Sequence, residues 1–319
     1  MKKNIKNDLV HFINNDGIIF SIRGYHHPKG FIVACPLYFP DSKGIRKGNK
    51  FNLRFNKCLD QSGDKIKNIR PSYICNKSLP FSILVPEKDV VEYFDPFDDK
   101  SITKIKKSIE GGKWEKVISS IKKIGIKEKD IGIFGSYLLD LNNKDSDLDI
   151  LVRGIDNQKI VKKNILEIRK IINAKDGFNK KILRETIIRY NKDYNLEHND
   201  FIKMLKKRWS LIRKDEEDIF IKIHFTYKNN EIPNFPRGVK IKSSIVLKGI
   251  VIDNSDINYM PRKFKVKANY KTYDIYTYFW NFYYCVNTND KVIIYGDLCN
   301  DDKTIILKDP KNHGIKFNK

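Results

Sequence analysis

The chain has 319 residues, which is enough for two or three domains, each with its own hydrophobic core. Its 62 basic and 39 acidic residues give a formal net charge of +23, so RNA or DNA is an expected partner, although a general bias toward Lys, Ile and Asn also produces such a charge. No apolar run reaches the length of a membrane span and the N-terminus lacks the apolar stretch of a signal peptide, so we expect a cytoplasmic protein without membrane contact. Five cysteines, never spaced as C-x-x-C, favour neither a disulfide framework nor a zinc site.

The first 98 residues predict a small β-rich module. Its short apolar runs are interrupted by Gly and Pro, as is typical of strands joined by turns. These runs span residues 17–23, 31–35, 51–55 and 81–85. No catalytic grouping stands out among them.

Residues 99–228 alternate between helical and strand patterns, which predicts a compact α/β core with a mixed sheet. Helices are expected at 113–123 and at 200–213. A further helix is expected to begin after an N-terminal cap at Asp156 and to bury an apolar stripe. The stripe consists of Val161, Ile165, Ile168 and Ile172. Residues 219–227 read as a closing strand.

The segment from Ile131 to Val152 contains the most informative motif of the chain. It predicts a strand, a turn at Gly135 and Ser136, a short helix, and a second strand with Asp147 and Asp149. Alternate residues of a strand share a face, so the two carboxylates point the same way and suit a divalent metal ion, Mg²⁺ or Mn²⁺. The N–H groups that open the helix can hold a phosphate. Together these features predict a site for a metal-bound nucleoside triphosphate (NTP), whereas the alternative is a surface hairpin with a solvated acidic turn.

The motif resembles the signature of the DNA polymerase β nucleotidyltransferase superfamily, on Phe134-Gly135-Ser136 and Asp147-Leu148-Asp149-Ile150. The resemblance implies that Asp147 and Asp149 hold the metal ions and that Gly135 and Ser136 position the β and γ phosphates. Further matching residues resemble a group of archaeal predicted nucleotidyltransferases, which have β-rich regions on both sides of this core. They are Asp16–Phe20, Arg23-Gly24, His27-Pro28, Gly30, Val33-Ala34 and Tyr38–Asp41.

The superfamily normally uses a third carboxylate on a strand beside the Asp-x-Asp strand. The expected strand 219–227 offers Lys222 and His224 there instead. Lys222 is a candidate for binding the triphosphate and His224 for replacing the missing ligand, with Asp218 as the next candidate. The alternative is that both residues form the exposed face of an amphipathic strand.

The remaining candidates are basic and aromatic. Lys203 and Lys207 are four residues apart on the expected helix 200–213, where they can grip a triphosphate or form a solvated face. Residues 236–319 predict a five-stranded barrel of the oligonucleotide-binding (OB) type, with a hairpin at 300–302. On this barrel Lys265, Lys267, Tyr276 and Tyr278 are candidates for binding nucleic acid, although some of the rings must fill the barrel core.

The sequence therefore predicts an α+β protein in which a polymerase-β-like nucleotidyltransferase core stands between an N-terminal β-rich module and a C-terminal OB-like β-barrel. The expected reaction is metal-dependent transfer of a nucleoside monophosphate from an NTP to a hydroxyl, with RNA or DNA as the acceptor. A protein or small-molecule acceptor is the alternative within this class. In the competing class, a degenerate core binds nucleic acid without turnover.

Overall fold

The chain divides into two compact units. The structure is a computed structural model that describes residues 6–48, 51–58, 64–73, 83–98, 113–143, 146–176, 197–214, 219–234, 239–277, 282, 284–309 and 311–318. The first unit contains the described residues between 6 and 176 and between 210 and 232. The second contains residues 197–209 and those from 233 onward.

The first unit begins with a seven-stranded antiparallel sheet. Its strands are β1 (His11–Asn14), β2 (Ile19–Ile22), β3 (Phe31–Pro40), β4 (Arg46–Gly48), β5 (Leu53–Lys57), β6 (Ile83–Pro86) and β7 (Val90–Phe94). The order is β4-β5-β3-β2-β1-β7, with β6 paired to β3. Helix α1 (Asp64–Ile69) follows β5 along the chain. Phe12, Phe20 and Phe55 are fully buried, so aromatic side chains supply much of the core of this region.

A second, five-stranded sheet completes the first unit. Its strands are β8 (Ile131–Ile133), β9 (Leu148–Arg153), β10 (Lys175–Asp176), β11 (Leu211–Lys214) and β12 (Ile219–Thr226). They lie in the order β10-β11-β12-β9-β8, and only the β9–β12 pair is parallel. Three helices accompany the sheet, α2 (Lys113–Lys123), α3 (Ile155–Lys163) and α4 (Ile165–Ile171). The predicted mixed sheet is confirmed, and the centre of this sheet is the β9–β12 pair.

Helices α3 and α4 correct the prediction of one helix beginning at an Asp156 cap. The backbone breaks at Asn164, where φ is −106°. The cap residue is Gly154, and the first helical N–H, of Ile155, donates to the Glu231 carboxylate at 3.1 Å. Asp156 is exposed and pairs with Lys159 at 2.9 Å. The predicted apolar stripe is nevertheless buried along its whole length, because the break preserves the helical spacing.

The helix predicted at 200–213 is also wrong in its C-terminal part. Helix α5 spans His198–Lys206, and Leu211–Lys214 form strand β11 instead. The apolar residues Leu211 and Ile212 satisfy their backbone groups by pairing with β12, and both side chains are buried there. Tertiary pairing thus overrides a helical spacing that local sequence favours.

The second unit contains a closed five-stranded barrel. Its strands are β13 (Ile241–Asp253), β14 (Arg262–Ala268), β15 (Lys271–Thr277), β16 (Lys291–Cys299) and β17 (Thr304–Leu307). The ring order is β13-β14-β15-β17-β16 and back to β13, with β15 and β17 parallel and the other pairs antiparallel. The predicted hairpin is confirmed, since Asp302 N–H donates to Cys299 carbonyl oxygen between β16 and β17.

Two further elements extend the barrel. Strand β18 (Gly314–Phe317) pairs with β16, and Phe317 N–H donates to Asp200 of α5 at 3.2 Å. The hairpin between β14 and β15 turns at Asn269 and Tyr270, which both have positive φ. Such a two-residue turn matches the twist of the flanking strands. None of the described helices is long and apolar enough to cross a membrane.

Candidate active site

Asp149 on strand β9 and Asp147 immediately before it lie on one side of the five-stranded sheet. Leu148 and Ile150 are buried in the core, at 2% and 0% exposed, so the residues alternating with them face the opposite way. Asp147 and Asp149 are partly accessible, with side chains 34% and 22% exposed. The two carboxylates thus share one face at the start of β9 and remain partly accessible.

The turn after β8 brings backbone against one of these carboxylates. Gly135 has φ of +68°, and a Cβ built on it would stand 2.6 Å from Asp149 Oδ2. Only glycine accommodates both this conformation and the close approach without strain. Phe134 N–H donates to the Asp149 carbonyl oxygen at 3.1 Å, which fixes the turn on β9.

The short helix predicted after Gly135 and Ser136 is reduced to consecutive turns. Leu141 N–H donates to Ser136 carbonyl oxygen and Asp140 N–H to Tyr137 carbonyl oxygen, while Asp140 has φ of +56°. These bonds end the helical conformation after a single turn. The Gly135 N–H donates to His11 Nε2 at 3.2 Å. The expected short helix is therefore absent at this turn, and the assignment of Gly135 and Ser136 to phosphate binding stays a prediction.

Strand β12 lies directly beside β9, and its register pairs Lys222 with Asp149. The Lys222 ammonium forms an ion pair with the Asp147 carboxylate. His224 Nε2 lies 3.8 Å from Asp149 Oδ1, and its ring packs edge-on against Phe134 with the centroids 5.0 Å apart. The structure thus brings Lys222, His224 and both aspartates together.

The surroundings of Asp149 make its carboxyl easier to protonate than the same group in water. Burial raises the pKa of this carboxyl above its usual value, the Lys222 charge opposes that rise, and the Asp147 charge adds to it. The charges of Asp147, Asp149 and Lys222 also act on the hydroxyl of Tyr38. Burial chiefly raises the pKa of Tyr38 to about 12, while Arg46 opposes the rise and the two aspartates add to it. A cation bound beside Asp147 and Asp149 would offset both the cost of burying the carboxylate charge and the repulsion between the two carboxylates.

The N-terminal sheet contributes four residues that sequence reasoning missed: His11, Tyr38, Arg46 and Lys57. His11 Nε2 accepts a hydrogen bond from the Gly135 N–H. The Arg46 guanidinium donates to the Leu141 carbonyl oxygen at 2.7 Å and to Ser146 Oγ at 3.2 Å. The positive charge of Lys57, like that of Lys222, opposes the rise in the pKa of Asp149. These contacts join residues about a hundred positions apart, so no local spacing or periodicity in the sequence marks them.

The carboxylates fit one divalent ion. Asp147 and Asp149 supply hard oxygen ligands, and phosphate oxygens of a nucleotide can complete the shell of Mg²⁺. Across the described ranges, no group of three or more His, Cys, Asp or Glu side chains is arranged to hold a metal. Asp218 lies outside the described residues, so its role stays a prediction.

Lys203 and Lys207 belong to the second unit, whereas the aspartates belong to the first. Lys207 forms an ion pair with Asp290, and its ammonium lies 4.7 Å from the centroid of the Phe317 ring. Lys203 lies 5.5 Å from the same centroid. Their contacts anchor α5 to the barrel unit, and their assignment to nucleotide binding stays a prediction.

The four candidates for nucleic-acid binding have different surroundings on the barrel. Lys267 is exposed, while Lys265 lies 3.7 Å from Asp253. Tyr276 is only 8% exposed, and the Lys263 ammonium covers its ring at 5.5 Å. Tyr278 lies outside the described residues.

Comparison with known proteins assigns a class to this site. Residues 114–235 match the family model described as a nucleotidyltransferase domain, so such a domain is present in the chain. The matched range contains β8, the Gly135 turn, β9 and β12, and therefore all the motif residues. A search of curated proteins finds no significant match. A search of solved structures finds none either.

Proposed function

We propose that this protein is a Mg²⁺-dependent nucleotidyltransferase that moves a nucleoside monophosphate from an NTP to a hydroxyl. The observation that carries the proposal is the pair of Asp149 on β9 and Asp147 immediately before it. The Gly135 backbone lies against Asp149, and the Lys222 ammonium pairs with Asp147. The nucleotidyltransferase domain match supports nucleotidyl transfer as the class of reaction. In this reaction the oxygen of the acceptor hydroxyl bonds to the α-phosphorus and its proton is released. The bond from the α-phosphorus to the bridging oxygen breaks, and pyrophosphate leaves.

The residues have distinct roles in this proposal. Asp147 and Asp149 hold the divalent ion, which when bound neutralises phosphate charge and favours attack by the hydroxyl. Gly135 lets the backbone of the turn approach the Asp149 carboxylate, and Gly135 and Ser136 are proposed to position the triphosphate beside it. Lys222 attracts a phosphate oxygen as a point charge. His224, packed on Phe134 at the edge of Asp149, is proposed to take the place of a third ligand.

Incubation with each labelled NTP, Mg²⁺ or Mn²⁺ and total cellular RNA, resolved on a gel, tests this function. We expect label to enter RNA from at least one NTP, and the transfer to disappear when Asp147 and Asp149 are both changed to Asn. Label in a protein or a small molecule would keep the reaction class and change the acceptor. Bound but intact NTP with every acceptor would contradict catalysis.

Nucleic acid is the proposed acceptor, and the second unit supports this part of the proposal. Its closed five-stranded barrel, with the first strand paired to both the second and the fourth, is of the kind that OB-folds use for oligonucleotides. On the face built by β14 and β15, part of the lysine charge is neutralised. Lys263 and Lys303 both approach Asp274, at 3.6 and 3.5 Å. Binding through this face is therefore weaker than its lysine count suggests.

The outer face of β13, β16 and β18 offers a better surface. Val246 pairs with Tyr295 across β13 and β16. Two residues further along β13 and on the same face, Lys248 pairs with Ile293. Val246 is 58% exposed and borders a cavity of about 240 Å³ with Tyr295. Within the described part of the chain, neither Lys248 nor Lys291 forms an ion pair. Rows of apolar or aromatic groups beside free ammonium groups suit a single strand, whose bases stack while its phosphates meet the lysines.

The competing proposal is a degenerate nucleotidyltransferase domain that binds RNA or DNA without turnover. It is favoured by the lysine that stands where a third carboxylate is expected. The labelled-NTP experiment separates the two proposals, since a degenerate domain leaves NTP intact while still binding nucleic acid.

A further inference from the structure

Lys222 gives the candidate site a positive charge of its own. Its ammonium pairs with Asp147, and its backbone lies in register with Asp149 on the neighbouring parallel strand. Both members of the ion pair are about one third exposed. The lysine is therefore held at the metal-binding carboxylates by the central β9–β12 pairing and not by a loop.

This ammonium changes the charge that the site offers to metal ions. Asp147, Asp149 and Lys222 together carry a charge of −1, and the nearby charge of Lys57 offsets it further. Such a site can hold one divalent ion with a triphosphate but has little attraction for another. A metal ion that approaches without nucleotide must also displace Lys222 from Asp147. An ammonium has three donors and no acceptor, so it cannot itself become a ligand.

We propose that Lys222 acts as a built-in cation that changes partners when nucleotide binds. In the free protein it neutralises Asp147, and on entry of the metal–NTP complex it leaves Asp147 to the ion and takes a phosphate oxygen. The site consequently binds a single divalent ion per nucleotide. This inference rests on the proposed function and specifies how its nucleotide is held.

The flexible stem of lysine makes such an exchange feasible. Four methylene groups let the ammonium move by several ångströms while the strand stays in place. Phosphate oxygens of a nucleotide held near Asp147 and Asp149 would lie within that reach. The exchange keeps the lysine charge paired both before and after binding.

Two measurements on the full chain test the inference in Lys222→Met. Calorimetry with Mn²⁺ alone should show about tenfold tighter metal binding than in wild type, because the competing ammonium is gone. Calorimetry with Mn²⁺ and a non-hydrolysable NTP analogue should show about tenfold weaker binding, because a phosphate contact is lost. The two shifts have opposite signs, which general damage to the site would not produce.

Electron paramagnetic resonance of Mn²⁺ counts the ions bound with the analogue. We expect one ion per chain in wild type and in Lys222→Arg, which keeps the positive charge. Lys159→Met is the matched control, since it removes a lysine from an exposed ion pair with Asp156 in the same unit and should leave both affinities unchanged.

Two bound ions in wild type, or shifts of the same sign in Lys222→Met, would overturn the inference while leaving nucleotide transfer intact. Failure of wild type to bind the analogue with any metal would overturn both this inference and the proposed function. If Lys222→Met does not fold, the ion count in wild type and in Lys222→Arg still decides.

Discussion

The Asp149 carboxylate reaches so close to Gly135 that a Cβ at position 135 would stand 2.6 Å from Oδ2. Gly135→Ala should therefore push the Asp149 carboxylate out of place, in addition to straining a backbone with φ of +68°. We expect loss of most metal-dependent NTP binding, measured by calorimetry, together with a fall in unfolding free energy of more than about 2 kcal/mol.

Gly30→Ala is the control for this substitution. Gly30 has φ of +76°, and a Cβ there would meet nothing within 4 Å. The control carries the same backbone strain, about 1–2 kcal/mol, without touching a carboxylate. Equal losses of NTP binding in the two variants would show that the contact with Asp149 does not matter.

Asp147→Asn combined with Asp149→Asn should abolish metal-dependent NTP binding without unfolding the chain. The amides keep the shape of both side chains but remove the negative charges that attract the ion. Calorimetry with Mg²⁺ and NTP measures the binding, and circular dichroism checks the fold. Unchanged binding in the folded double variant would show that the site is elsewhere.

His224→Asp should raise turnover under Mg²⁺ with little change in NTP affinity. His224 lies at the edge of Asp149, so a carboxylate there would add an anionic ligand next to the ion. The substitution also removes a ring that packs on Phe134, so some loss of stability is expected. Single-turnover rates with labelled NTP provide the measurement, and a rate no higher than that of wild type would exclude His224 from the ligand position.

His11 should make the fold sensitive to acid. Burial, and to a lesser degree the charge of Arg23, lower the pKa of His11 from 6.5 to about 3. Between these values the unfolded chain binds a proton that the folded chain does not, so stability falls as the pH drops below about 6.5. One such proton changes the unfolding free energy by about 1.36 kcal/mol per pH unit. The unfolding free energy, measured with urea between pH 4 and 6.5, should rise with pH less steeply in His11→Gln than in wild type, by this amount per pH unit.

The control for this experiment is His198→Gln, which alters an exposed histidine of the second unit. It should leave the slope close to that of wild type. The same slope in His11→Gln and wild type would mean that His11 is protonated in the folded state.

The barrel should bind single-stranded RNA or DNA with an affinity that falls steeply as salt rises. Lys248→Ala with Lys291→Ala removes two charges of the β13–β16 face that form no ion pair with the described residues. The double change should lower the slope of log Kd against the logarithm of the salt concentration by about two. Lys263→Ala with Lys303→Ala removes charges that approach Asp274 and should change it less. Filter binding by the full chain across a salt series measures both. A larger effect of the second pair would move the binding surface to β14 and β15.

Local sequence was sufficient for part of the site. The spacing of Asp147 and Asp149 places them on one face of any strand, because side chains alternate regardless of what the strand pairs with. The same parity placed Lys222 and His224 on one face of the closing strand. The buried stripe of α3 and α4 followed equally from helical periodicity.

Only the tertiary structure decided which neighbour each of these residues meets. The choice of Lys222 as the partner of Asp147 depends on the register of β9 and β12, which segments 70 residues apart establish by packing. His11, Tyr38, Arg46 and Lys57 reach the site from a separate sheet, and Lys203 and Lys207 join the barrel unit, although they precede β12 in the chain. Periodicity reports which face of an element is buried, but the free energy of packing between distant elements selects what covers it.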